Sequence, residues 1–195
     1  MEQRELWDGF YRANGRAWRG NSRIPDPLSG DGSALDLGCG NGKTASTLID
    51  LGYRVTGTDF SKTAVDMCRE NFGDAAEFVA SDIMDLPFGD ASFDYVTAVH
   101  VLEHIDDSDM PAVAAEIRRV LRPGGYLFVR SFTPLDMRSG KRSGEGIRYI
   151  HRNPDGIVAF FRGMETEYAR RVDEPTRFGT TRSRAECLFR EPADI

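Results

Sequence analysis

The chain has 195 residues, 40% hydrophobic and 29% charged, a balance that suits one domain around one well-buried core and excludes a disordered chain. No apolar run approaches the roughly 20 residues needed to span a bilayer, and Met1-Glu-Gln-Arg-Glu5 lacks the basic-then-apolar order of a secretory leader, so a cytoplasmic protein with no membrane partner is expected. The net charge of −6 argues against a nucleic-acid partner, and three widely spaced cysteines, Cys39, Cys68 and Cys187, point to reduced thiols with no metal site.

Residues 4–18 carry Leu6, Trp7, Phe10, Tyr11 and Trp18 at partly helical spacing, and residues 1–32 are predicted to form an aromatic helix or flap ahead of a single domain over 33–195. The first strand is Ala34–Leu37, followed by the glycine loop Gly38–Gly42 and a helix that stops at Gly52. The second strand spans Tyr53–Thr58, and Ser61 caps a helix that buries Val65, Cys68 and Phe72 before Gly73. Glu77–Ala80 is the third strand. Asp94–Val99 is a nearly continuous apolar run, as expected of a central parallel strand covered on both faces. A helix over about 109–121 leads through the turn Pro123-Gly-Gly125 to a fifth strand, Tyr126–Val129. A flexible stretch is expected over 139–146, then a helix from the Asn153 cap to about Gly163. Runs near 167–172 and 185–190 are predicted to pair antiparallel on the sheet edge. Strands alternating with helical periods make this an α/β chain around a mainly parallel sheet.

The glycine spacing discriminates between cofactors. Gly38, Gly40 and Gly42 form Gly-x-Gly-x-Gly, whereas the dinucleotide fingerprint needs a third glycine at position 43, which is Lys43. Asp59 follows Gly38 by 21 residues, at the end of the second strand, where an acid can accept hydrogen bonds from both hydroxyls of a ribose. A tight structural turn and a helix-entry acid are the plainer readings of the same residues.

Leu35–Gly42, Gly57–Ser61, Ser81–Ile83, Pro87–Asp94, His100–Ile105 and Glu116–Gly125 together resemble, in order, the motifs of the class I S-adenosylmethionine-dependent methyltransferases. The resemblance covers about residues 30–132. It implies a Rossmann-like three-layer sandwich with a mainly parallel, seven-stranded sheet and an antiparallel C-terminal edge. It also implies S-adenosylmethionine as cofactor, with Gly38, Cys39 and Gly40 beside its methionine portion and Asp36 near the ammonium. Asp59, in the motif that ends at Ser61, would hold the ribose; Phe60 and Ile83 would sandwich adenine; Asp82 would bond its amine; His100 would lie near the sulfonium and the acceptor. Core packing, for Phe60 and Ile83, and a turn, for Asp82, are the alternatives.

Methyl transfer needs no protein nucleophile, since holding acceptor, carbon and sulfur in line supplies much of the rate. His100 is the candidate base for an acceptor that must lose a proton; His104 and His151 read as helix-start or surface histidines, and Glu103 as a cap or packing acid. Tyr11 and Trp18 are candidates to close over the cofactor and face its sulfonium, or simply to anchor their helix.

Charge divides unevenly, with 13 basic and 22 acidic side chains over residues 1–137 and 12 basic and 7 acidic over 138–190. A small-molecule acceptor is expected, anionic or a soft nucleophile, met by a monomer or homodimer. Arg148, Arg152, Arg182 and Arg184 are the first candidates to bind an anion. The segment Trp7–Trp18 and the basic region after Gly146 are similar to the small methyltransferases related to the tellurite-resistance family, which implies chalcogen, thiol or oxyanion acceptors. Two other functions stay open: a catalytically silent S-adenosylmethionine-binding regulator, and a nicotinamide oxidoreductase, against which Lys43 counts.

Overall fold

In the computed structural model, which describes residues 3–18, 20–139 and 146–193, seven strands form one sheet in the order β3-β2-β1-β4-β5-β7-β6. The strands are β1 (Ser33–Leu37), β2 (Arg54–Asp59), β3 (Glu77–Ala80), β4 (Phe93–Val99), β5 (Leu121–Phe132), β6 (Glu165–Pro175) and β7 (Thr181–Arg190). The first five pair in parallel, and β7 runs antiparallel to both β5 and β6. The α/β class, the mainly parallel sheet and its antiparallel C-terminal edge follow the sequence expectation. The helices are α1 (Gln3–Asn14), α2 (Lys43–Leu51), α3 (Lys62–Phe72), α4 (Met110–Val120) and α5 (Pro154–Val158). No helix among the described residues is long and apolar enough to cross a membrane.

Alternation along the strands divides the core between the two faces. Leu35, Leu37, Val96, Ala98, Leu127, Val129, Ala185 and Cys187 pack with α4 residues such as Val113 and Ile117. Ala34, Tyr95, Phe128 and Leu188 point the other way, onto Ala45 and Leu48 of α2 and Val65 and Cys68 of α3. Local chemistry sets the helix ends. The Ser61 hydroxyl accepts from the Ala64 amide at 3.2 Å, and Gly52 closes α2 at φ +105° with its amide on the Ile49 carbonyl, the left-handed stop that glycine permits.

The edge strands β6 and β7 run longer than the sequence suggests, and two boundaries differ in kind. The Pro123-Gly-Gly125 turn lies inside β5 as an irregularity, where the β4 register slips between Phe93 and Tyr95. The helix after Asn153 ends at Val158 and continues only as a 3₁₀ turn over Ala159–Phe161. Phe161, the last residue of that turn, is buried against Phe189, with ring centroids 5.2 Å apart. Most of the stretch expected to be flexible, residues 140–145, lies outside the described residues.

Candidate active site

Strand order reverses between β1 and β4, and the crevice at the carboxyl ends of such strands is where open α/β sheets bind ligands. A cavity of about 890 Å³ opens there. Gly38, Cys39, Gly40, Asp59, Phe60, Asp82, Ile83 and His100 line it, together with Tyr11 and Trp18 of the amino-terminal segment. Ten of the twelve residues singled out in the sequence therefore share one cavity; Asp36 and Ser61 do not line it.

The glycine loop turns on left-handed residues, with Gly38, Gly40 and Gly42 at φ +60°, +53° and +79°. At Gly40 the need for glycine is also steric, because a Cβ there would lie 2.6 Å from the Tyr11 hydroxyl oxygen. The Asp59 carboxylate braces this loop, accepting from the Gly40 amide through Oδ2 and from the Ser61 amide through Oδ1, both at 2.9 Å. Burial raises Asp59 to about 6, with Asp8 adding to the rise and the amides of Ser61 and Gly40 opposing it.

Asp36 lies beneath the loop, 1% exposed. Its Oδ1 accepts from the Thr97 hydroxyl at 2.8 Å, while Oδ2 has no hydrogen-bond partner. Burial lifts this carboxyl to about 7 against the Thr97 hydroxyl and the nearby Ala45 amide, which favour the charged form without satisfying Oδ2. Ser61 is fully buried as the α3 cap and donates to Asp8 Oδ1 at 2.5 Å. That bond, with the Thr63 amide on the same oxygen at 3.2 Å, fastens α1 to α3. Asp82 accepts from the Met84 amide at 3.0 Å, so it organises its own turn while facing the cavity.

His100 stands where β4 ends, at φ +59°, a left-handed conformation that a side chain other than glycine seldom adopts without surrounding constraint. The constraint is visible on all sides. Its amide donates to the Arg130 carbonyl at 2.8 Å, its ring stacks on Phe132 with centroids 4.2 Å apart, and Nδ1 lies 2.9 Å from Glu103 Oε1. Glu103 is fully buried, and its other oxygen accepts from the Ser131 hydroxyl at 2.8 Å. Burial opposes ionisation of Glu103, but the charge and hydrogen bond of His100, the charge of His104 and the Ser131 hydroxyl outweigh it, holding the carboxyl below its ordinary value. An imidazole whose Nδ1 faces a carboxylate presents Nε2 as its free basic nitrogen. Glu103 is thus more than the packing acid expected from its position: it orients His100, and only the three-residue spacing hinted at the pairing.

His104 departs from the surface reading as well. Its Nδ1 meets the Arg148 carbonyl at 2.7 Å and its ring lies edge-on to Trp7 and Tyr149; burial lowers its pKa despite the Glu103 charge. The cations sort into two kinds. Arg152 is 7% exposed and donates to the carbonyls of Leu102 and Ile105, each at 2.7 Å, and to Asp107, so it holds the Leu102–His104 turn and is not an anion site. Arg148 pairs with Asp106 and Arg184 with Glu174 while still lining the cavity. Arg182 lines the cavity as well.

Residues 35–129 match a family model described as "Methyltransferase domain". The chain is 31% identical to the 27-O-demethylrifamycin SV methyltransferase of Amycolatopsis mediterranei over 172 residues, which are 80% of this chain and 62% of that one. It shares the fold of a SAM-dependent methyltransferase from Methanosarcina mazei, with TM-score 0.72 and 24% identity over 86% of this chain and 95% of the other. It is likewise similar to the Burkholderia thailandensis 1,6-didemethyltoxoflavin-N1-methyltransferase, solved with 1,6-didemethyltoxoflavin and S-adenosylhomocysteine bound. There the TM-score is 0.67 and identity 19%, over 97% of this chain and 78% of that one. The chain spans less than two thirds of the length of the curated relatives it matches.

Proposed function

We infer from the methyltransferase-domain match over residues 35–129, the 31% identity to a curated methyltransferase and the shared fold that this chain is a class I S-adenosylmethionine-dependent methyltransferase, and from that premise we propose that it transfers a methyl group from S-adenosylmethionine to a small molecule whose reacting atom carries a proton. The observation that carries this reading is a single cavity with the glycine loop and Asp59 on one side and a carboxylate-held histidine on the other.

The donor set suits an adenosyl sulfonium. Asp59 offers two carboxylate oxygens at the end of β2 for vicinal hydroxyls. Gly38, Cys39 and Gly40 let backbone approach the methionine portion closely. The orphaned Oδ2 of Asp36 beneath the loop is a buried acceptor without a partner among the described residues, and an ammonium above the loop would draw this carboxyl, raised to about 7 by burial, into its charged form. Phe60, Ile83 and Asp82 line the same cavity, and in this reading the two apolar side chains take the adenine ring and Asp82 its amine. S-adenosylmethionine, when bound, supplies a methyl group already activated by its sulfonium.

What remains for the protein is to orient the acceptor, exclude water and receive a proton. His100 Nε2 takes that proton, and Glu103 stabilises the imidazolium through Nδ1. Trp7 stacks on Tyr11, and Trp18 packs tilted and edge-on against the pair, with ring centroids 5.6 to 6.2 Å apart; in this reading the cluster screens the glycine loop from solvent, with α1 as the flap. Release of S-adenosylhomocysteine from S-adenosylmethionine over a panel of hydroxyl and thiol acceptors tests the proposal. No turnover with any acceptor, despite tight nucleoside binding, would favour a silent regulator instead.

A further inference from the structure

One end of the cavity carries charge that the chemistry above does not use. On the α2 side of the sheet, β5 and β7 bring cations toward the cavity. Arg130 follows Tyr126 and Phe128 and precedes Phe132 on β5; on β7, toward the cavity, Leu188 is followed by Glu186, the partner of Arg130, and then by Arg184 and Arg182. Lys43, in the first turn of α2, lies across from them, and Arg23 borders the same region, its carbonyl bonded by Arg130.

The acids nearby are already committed. Glu186 takes both Arg130, at 2.6 Å, and Arg170, at 3.0 Å, and Glu174 takes Arg184. Among the described residues Lys43 and Arg182 have no carboxylate partner. Burial, and then repulsion from Arg130, Arg184 and Arg182, lowers the Lys43 pKa, which places its ammonium inside a field of like charge. Such a field favours an incoming anion.

We propose that Lys43 and Arg182 form a recognition site for an oxyanion, a carboxylate, phosphate or sulfate group carried by the methyl acceptor. The position separates the Arg182 end of this site from the ribose end. In the order β2-β1-β4-β5-β7, β7 stands three strand spacings beyond β1, about 14 Å at ordinary spacing, with His100 on β4 in between. An acceptor anchored by its anion near β7 therefore extends its reacting atom toward Nε2 of His100. Arg forks suit planar oxyanions, and Lys43 supplies a point charge on the opposite side. This assignment rests on the methyl-transfer reading for the identity of the ligand that carries the anion.

The full chain, saturated with S-adenosylhomocysteine, is titrated calorimetrically with 4-hydroxybenzoate, its neutral methyl ester and inorganic phosphate. The charged benzoate is expected to bind at least tenfold more tightly than the ester, with phosphate competing and added salt narrowing the gap. The Lys43→Gln/Arg182→Gln double variant, checked for folding by thermal melting, should bind acid and ester equally while keeping its nucleoside affinity within twofold. Equal binding of acid and ester by the unaltered protein overturns the proposal. So does a matching loss of nucleoside affinity in the double variant, which would assign these cations to the amino-acid carboxylate of the cofactor. If the unaltered protein takes up no nucleoside, the methyl-transfer reading fails by itself, and the same titrations on the free protein still read the anion preference.

Discussion

Replacing Glu103 by Gln preserves shape and removes charge, which isolates what the buried carboxylate does for His100. The carboxylate touches Nδ1 at 2.9 Å and the Ser131 hydroxyl at 2.8 Å, and an amide of the same size still reaches both groups. A hydrogen bond to a charged group contributes about 1.5–3 kcal/mol and a neutral one about 0.5–1.5 kcal/mol. The substitution therefore withdraws about 1–2 kcal/mol from the imidazolium that forms as the acceptor loses its proton. That corresponds to a fall in kcat of roughly 5- to 30-fold. Nucleoside affinity should hold, since Glu103 bonds neither the glycine loop nor Asp59. The assay is S-adenosylhomocysteine release from a hydroxyl acceptor across a pH series, in which the deficit shrinks as the acceptor begins to ionise unaided and needs no base. A kcat within twofold of the parent at neutral pH, or a deficit that does not change with pH, refutes the role given to His100 and Glu103.

Other perturbations read separate parts of the site. Burial raises Asp36 to about 7 and Asp59 to about 6, above the unfolded carboxylate value of about 4. Between those limits the folded chain binds more protons than the unfolded one, so stability falls as pH rises from about 4 to about 7; in urea melts Asp36→Asn should flatten that slope, and an unchanged slope contradicts the burial argument. Gly40→Ala places a side chain at φ +53° against the Tyr11 hydroxyl; it should cost about 1–2 kcal/mol of stability and weaken nucleoside binding at least tenfold by calorimetry. Arg152→Ala strips the buried carbonyls of Leu102 and Ile105 of their donor and should destabilise by about 2–4 kcal/mol in denaturant melts. A loss of anion affinity with no loss of stability would instead return Arg152 to the acceptor site.

The sheet was legible because its signals are local and repeated. The apolar run of β4, the cap at Ser61 and the stops at Gly52 and Gly73 each act over a few residues, and the structure has β3 at the residues expected, Glu77–Ala80. Gathering the glycine loop, Asp59, Asp82 and His100 in one crevice followed from placing each at the carboxyl end of a parallel strand. What the sequence concealed depends on contacts between distant segments. Glu103 looks like any acid beside a helix start until Ser131, from β5, is known to bond it. Arg152 looks like a surface cation until the Leu102–His104 turn closes over it. The sequence reading also missed Asp8 as the fastening of α1, because its partners Ser61 and Thr63 lie more than 50 residues away. The cationic face of β5 and β7 had a local trace, Arg130, Arg182 and Arg184 in register with apolar neighbours, but only the antiparallel pairing sets the two strands side by side.

Nucleoside binding is the most direct examination of the site. The full chain, titrated with S-adenosylhomocysteine and in parallel with NAD, is expected to bind the first at one site and not the second. Asp59→Ala should weaken that binding at least tenfold, about 1.4 kcal/mol or more, and Asp59→Asn by less, with circular dichroism unchanged. No detectable affinity for S-adenosylhomocysteine, or affinity that survives Asp59→Ala intact, would contradict the placement of the cofactor in this cavity.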